Sequence, residues 1–161
     1  MNTTTHKSKV YISGALTGIN DPAEIKIFYE DIGSLCEAMG FQTYIPHLHT
    51  DPISHPNIDP RQVFETDKQQ VSTSDLVIAY LGFPAFGVGM ELAYADTKGI
   101  PIILLYEKGK RVSRFPRGIP TVFSEIDFND YKEALTKLES VLEEWRRQHI
   151  TQISSAPSYS S

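Results

Sequence analysis

Between Pro84 and Leu92 the chain reads PAFGVGMEL, two glycines at the start of a helix followed by one carboxylate, Glu91. Gly87 and Gly89 have no side chain to hold a substrate away from the backbone, so both are read as substrate contacts. A carboxylate placed there and facing a ligand cleft has the chemistry of a nucleophile or an acid–base group. The competing reading is structural: Glu91 falls in the first helical turn, where an anion gains a few tenths to about 1 kcal/mol from the helix dipole. Asp67 is the second candidate. Its helix ends near Ser72 and runs back along the sheet, so a residue two turns earlier stands about 8–12 Å closer to the strands' carboxyl ends, within reach of the cleft. The alternative for Asp67 is a solvated carboxylate on the helix face. Asp75, at the opposite edge, reads as a cap or loop anchor.

Other reactive side chains are less pointed. His47, His49 and His55 have an H-x-H-x5-H spacing that fits no compact metal-ligand pattern, and neither a metal nor a cofactor is expected. His47, the second residue after a central strand, is a candidate ligand contact. Cys36 lies on the apolar stripe of a helix and reads as a core thiol. Lys108, Lys110, Arg111, Arg114 and Arg117 cluster in an otherwise acidic chain and form either an anion site or a solvated or intersubunit surface. Phe83, Phe86, Met90 and Phe115 suit stacking on a base, and equally suit core or subunit contact.

These side chains need a frame. With 161 residues, 40% of them apolar, the chain can bury one core but hardly two. A formal charge of -5 argues against nucleic acid as a partner. No stretch approaches the roughly 18 apolar residues of a membrane span, the N-terminus lacks a signal peptide's apolar run, and one cysteine permits no internal disulfide. A cytoplasmic protein without membrane contact is expected.

Strands are predicted at 9–13, 42–45, 75–81, 100–106 and 121–126, the third and fourth nearly continuous in apolar character, as in strands buried on both faces. Helices are predicted along the stripe Ile25, Phe28, Tyr29, Ile32, Leu35, Cys36 and Met39, over 60–72 after Asp59 as N-cap, over 88–98, and from Tyr131 to Trp145 after Asn129 or Asp130. Residues 46–60, with four prolines and three histidines, read as one long loop. The domain is expected to span 1–150, followed by a flexible serine-rich tail at 151–161.

Strands alternating with helices imply the α/β class: a single doubly wound domain, with about five parallel strands flanked by helices in a flavodoxin-like or Rossmann-like arrangement. Ligands of such folds bind beyond the carboxyl ends of the strands, near the reversal of strand order, which directs attention to the loops at 14–18, 46–59, 82–89 and 107–118. The first of them, GALTG, has neither GxGxxG spacing nor the Lys-Ser or Lys-Thr of a Walker loop. A phosphorelay receiver needs a carboxylate at the end of the third strand, where Tyr80, Leu81 and Gly82 stand.

VYISGALTG at 10–18, Asp67 eight residues ahead of Asp75 in SDLVIAYL, and PAFGVGMELAYA at 84–95 together resemble the nucleoside 2-deoxyribosyltransferase superfamily over roughly residues 9–118. That superfamily holds transferases, which move 2-deoxyribose between bases, and hydrolases of deoxynucleoside 5'-monophosphates. The resemblance implies that Glu91 is a nucleophile forming a 2-deoxyribosyl ester, that Tyr11 orients it, and that Asp67 faces the base and helps move a proton to it. Substrate contact is expected of Gly14, Ala15, Thr17, His47, Ala85, Gly87, Gly89, Met90, Ser113 and Phe115. Where the transferases commonly carry a base-reading Asp and the hydrolases a Ser, this chain has Ala85. Ala15 and Thr17 replace the Ser and Arg that hold phosphate in the hydrolases, and Ser113, Arg114 and Arg117 could compensate from a neighbouring subunit.

The resulting expectation is a deoxyribosyltransferase that takes a 2'-deoxynucleoside and a free nucleobase. A deoxynucleoside monophosphate hydrolase is the alternative and a non-catalytic nucleotide sensor the third reading. A homo-oligomer, dimer or larger, is expected, with sites completed by a neighbour; Tyr159 to Ser161 either cross to that neighbour or are disordered.

Overall fold

Alternate residues along the apolar strands face opposite sides of one sheet, and each side has its own core. The computed structural model describes residues 7–154. Its elements are β1 (Lys9–Ser13), α1 (Pro22–Ala38), β2 (Gln42–Tyr44), α2 (His47–Thr50), α3 (Pro60–Ser72), β3 (Leu76–Tyr80), α4 (Phe86–Thr97), β4 (Ile102–Glu107), α5 (Arg114–Arg117), β5 (Val122–Phe128) and α6 (Tyr131–Ser154). The five strands pair in parallel in the order β2-β1-β3-β4-β5. Val10, Ile12, Ile78, Tyr80 and Ile103 pack under α1 and α6, against Phe28, Ile32, Cys36, Leu138 and Trp145. Tyr11, Val77, Ala79, Ile102 and Leu104 pack on the other side, with Val71 of α3 and Val88, Leu92 and Ala95 of α4. Strand order reverses at β1, whose neighbours are β2 and β3, so the chain leaves it on diverging paths and opens a crevice at the carboxyl ends.

Local signals fix the element ends. The Asp59 carboxylate accepts the Arg61 N–H at 2.7 Å and caps α3. At the start of α6 the Glu133 N–H donates to Asp130 at 2.8 Å, while the Glu133 carboxylate accepts the Asn129 N–H at 2.8 Å. Asp75 accepts the Lys9 N–H at 2.7 Å and ties β1 to β3 at the amino edge, the anchoring role expected of it.

The structure corrects several expectations. The long loop after β2 contains α2, held by the Pro46 carbonyl, which accepts from the N–H groups of His49 at 2.9 Å and Thr50 at 2.8 Å. One turn of helix is too short to display a period. A second such turn, α5, interrupts the loop after β4. β2 is an edge strand, not a central one, because strand order cannot be read from hydropathy. α4 starts at Phe86, with Ala85 as its N-cap, and α6 continues to Ser154, past the expected start of the tail. Residues 155–161, including Tyr159 to Ser161, lie outside the described residues. Among the described residues no helix is long and apolar enough to cross a membrane.

Candidate active site

Two residues apart on β1, Tyr11 and Ser13 project to the face covered by α4, and Glu91 comes down on them from that helix. The Tyr11 hydroxyl donates to Glu91 Oε1 at 2.8 Å, and the Ser13 hydroxyl donates to Oε2. Both donors have 0% exposure, whereas Glu91 keeps partial access to solvent. Burial pushes the Glu91 carboxyl up to about 7, the two hydroxyl bonds pull it down, and the charge of Asp67 adds to the rise. Burial, together with the charges of Glu91 and Asp67, holds the Tyr11 phenol well above its ordinary range, so it stays a neutral donor. Glu91 lies in the second turn of α4, not the first, and the dipole role open to a first-turn anion does not apply to it.

Asp67 reaches the same edge from α3. Its Oδ1 receives a long bond from the Tyr44 hydroxyl at 3.4 Å, and Thr50 Oγ1 lies 3.3 Å from Oδ2. Burial raises the Asp67 carboxyl while these hydroxyls lower it. Thr50 has one proton and two acceptors, since its Oγ1 is also 3.1 Å from the Pro46 carbonyl. When that proton goes to Pro46, the oxygen can accept from a protonated Asp67, so the pair accommodates either state of the acid. Behind them the Tyr44 ring stacks on Tyr11 at 5.6 Å and on His49 at 4.6 Å, which fixes the floor between the two carboxylates.

The other expected residues divide into two groups. Gly14 is filled by its neighbour: a Cβ there would sit 2.2 Å from Tyr29 Cζ, and the Tyr29 hydroxyl donates to the Ala15 carbonyl at 3.0 Å. The first loop is thereby pinned, with Ala15 buried and Thr17 exposed. Gly87 and Gly89 behave differently, because a Cβ at either would meet nothing within 4 Å. Met90 is 48% exposed on the same helix, while Phe86 and Phe115 are exposed at 97% and 90%. Phe83 is partly buried and lies edge-on to Tyr80.

His47 does not reach the carboxylate pair. It is buried and turned toward α1, its Nε2 2.8 Å from Glu30. Ser113 caps α5 by accepting the Phe115 N–H at 3.4 Å. Three of the five clustered cations are neutralised locally: Lys108 by Glu133 at 4.0 Å, Lys110 by Glu107 at 3.5 Å and Arg117 by Glu125 at 2.7 Å. Arg111 and Arg114 are exposed and have no ion-pair partner among the described residues. Burial raises the Cys36 thiol to about 12, as befits a core residue. No group of three or more metal-ligating side chains occurs among the described residues.

Glu91, Tyr11 and Asp67, all expected at the site, meet at one edge of the sheet, where Ser13, Tyr44 and Thr50, for which no role is expected from the sequence, also contact the carboxylates. Ser13 was findable, since strand period places it on the same face as Tyr11. Thr50 gave no signal, because α2 itself was not visible.

No family model matches the sequence. A protein of Thermofilum pendens that carries the provisional name 2'-deoxynucleoside 5'-phosphate N-hydrolase 1 is 31% identical over 139 residues, covering 83% of this chain and 94% of that protein. The CMP N-glycosidase BcmB of Clostridium botulinum superposes with a TM-score of 0.64 at 24% identity, covering 82% of this chain and 98% of that one. A 2-deoxyribosyltransferase of Bacillus psychrosaccharolyticus superposes with a TM-score of 0.58 at 15% identity, covering 80% and 90%. These two structures share the fold.

Proposed function

The chain belongs to the superfamily that joins the nucleoside 2-deoxyribosyltransferases to the 2'-deoxynucleoside 5'-phosphate N-hydrolases, enzymes that cleave N-glycosidic bonds, and from that premise we propose that it hydrolyses 2'-deoxynucleoside 5'-monophosphates. The observation that supports N-glycosidic cleavage, the step common to hydrolysis and transfer, is the carboxylate pair: Glu91 held through both oxygens, with Asp67 near enough for its charge to raise the Glu91 carboxyl. Glu91 attacks C1' as the C1'–N bond breaks, and the bond's electron pair leaves with the base. Protonated Asp67 supplies the proton that the base nitrogen takes up. Water then attacks C1' of the glycosyl ester and gives its proton to Asp67. The products are the free base and 2-deoxyribose 5-phosphate, with Glu91 restored as a carboxylate and configuration retained.

Hydrolysis is supported by the name of the Thermofilum relative, while Ala85 gives the start of α4 neither the carboxylate common in the transferases nor the serine common in the hydrolases. Gly87, Gly89 and Met90 line the sugar and base side of the cleft, and the loop of Gly14, Ala15 and Thr17 faces the phosphate. Ser113, Arg114 and Phe115 complete the site from a second copy of the chain, which accounts for a phenylalanine left almost wholly in water. The transferase reading is supported by the resemblance of MELAYA at 90–95 to the transferases, whereas the overlapping PxxGVGxE pattern at 84–91 resembles the hydrolases.

Chromatography of the products from deoxynucleoside monophosphates, with and without a free base of another kind, tests both readings. Free base and 2-deoxyribose 5-phosphate are expected, at a rate unaffected by the added base, with unphosphorylated deoxynucleosides the poorer substrates. A new deoxynucleoside monophosphate built on the added base, or a new deoxynucleoside from an unphosphorylated substrate, would establish transfer instead.

A further inference from the structure

Ser13 is the last residue of β1, has no exposed surface, and pairs with Ala79 of β3 at the carboxyl edge of the sheet. Its hydroxyl makes one side-chain bond among the described residues, and that bond goes to Glu91 Oε2 while Tyr11 holds Oε1. Two donors from the same face of one strand therefore grip the two oxygens of one carboxylate, which a single donor would leave free to rotate about its last side-chain bond. The titratable groups that face Glu91 are Tyr11 from β1, Asp67 from α3, Tyr44 from β2 and Tyr29 from α1. None of them brings a positive charge. Ionisation of a carboxyl in this setting depends on its hydroxyl donors alone.

We propose that Ser13 is a positioning residue that fixes the plane of the Glu91 carboxylate and stabilises its anionic form. The inference rests on Glu91 being the nucleophile. In the first step one Glu91 oxygen bonds to C1' as the C1'–N bond breaks, and the other becomes the ester carbonyl. When water breaks the ester, the negative charge returns to a carboxylate that both hydroxyls are placed to receive. The cysteine of Ser13→Cys fills nearly the same space with a weaker donor, so it separates the hydrogen bond from the packing.

The experiment compares wild type, Ser13→Ala, Ser13→Cys and Glu91→Gln in two measurements. The first follows the Glu91 carboxyl by carbon NMR of protein labelled in its glutamate side chains, the resonance being assigned by its absence in Glu91→Gln. It needs no turnover. The midpoint is expected to lie highest in Ser13→Ala, lower in Ser13→Cys and lowest in wild type. The second is the pH profile of kcat/KM on a deoxynucleoside monophosphate. A fall of about tenfold or more is expected for Ser13→Ala near pH 7, narrowing as the pH rises toward 9, whereas a merely structural lesion would lower the whole profile equally. An unchanged or lowered midpoint in both Ser13 variants would overturn the inference and leave the hydrolase reading standing. Full turnover by Glu91→Gln would instead remove the hydrolase reading, with the Ser13 clamp still judged by the midpoints.

Discussion

As the proposed nucleophile, Glu91 must be ionised to attack, yet its position under α4 favours the protonated form, and the two demands have opposite pH signatures. With its carboxyl pushed up to about 7 by burial, kcat/KM is expected to rise with pH through that region on the acidic limb of the profile. Stability moves the other way. An unfolded glutamate titrates near 4.5, so between 4.5 and about 7 the native state holds a proton that the unfolded chain has lost. The stabilising contribution is complete below 4.5 and disappears as pH rises through 7, a loss of about 2–3 kcal/mol at most for a group with some access to water. Glu91→Gln is therefore expected to lose about a thousandfold or more in N-glycosidase turnover while gaining resistance to denaturant at pH 8, and that gain should vanish below pH 5. Urea titrations at the two pH values check the sign. Asp67→Asn is expected to lower kcat by about 10²–10⁴-fold on ordinary bases and far less on a substrate whose base leaves without needing a proton, which steady-state kinetics on the two substrates would reveal.

At the scale of elements, the edges of the sheet do different work. Gly14→Ala would drive a methyl group into the Tyr29 ring and dislodge the loop after β1, so its Tm should drop by an amount equivalent to about 1–3 kcal/mol, together with activity. Asp75→Ala, at the amino edge, should cost about 1–2 kcal/mol of stability and leave kcat unchanged, because what it loses, the bond to the Lys9 N–H and the attraction for the Lys9 ammonium, lies at the edge opposite the carboxylate pair. Thermal melts and kinetics on the same samples separate the two cases. The strands and long helices were legible because their apolar spacing repeats over several turns or a whole buried run. α3 was read to its end residues, with Asp59 announcing its start. What escaped was short or relational: α2 and α5 span four residues each, and Thr50 meets Asp67 only because α2 folds back toward α3. Glu91 was identified from its flanking glycines, but its turn was misplaced because the helix begins at Phe86 without a capping side chain. His47 was read from its distance past a strand, and the pull of Glu30 on α1 turned it elsewhere.

For the molecule as a whole, Phe86 and Phe115 are large apolar side chains left almost entirely in solvent on a chain with net charge -5. Light scattering coupled to size exclusion is expected to find more than one copy per particle, and Phe115→Asp should shift the mass toward a monomer and lower turnover together. The two oxygens of Glu91 are gripped by β1, an interior strand of the sheet, but the side chain that carries them hangs from a helix whose opening turn is thinly secured. Ala85 offers no capping acceptor, and Gly87 and Gly89 each weaken the first turns by about 1 kcal/mol relative to alanine. Gentle warming should thus unseat the helix before the sheet yields, so that catalysis fades several degrees below the collapse of far-ultraviolet ellipticity and returns in full on cooling.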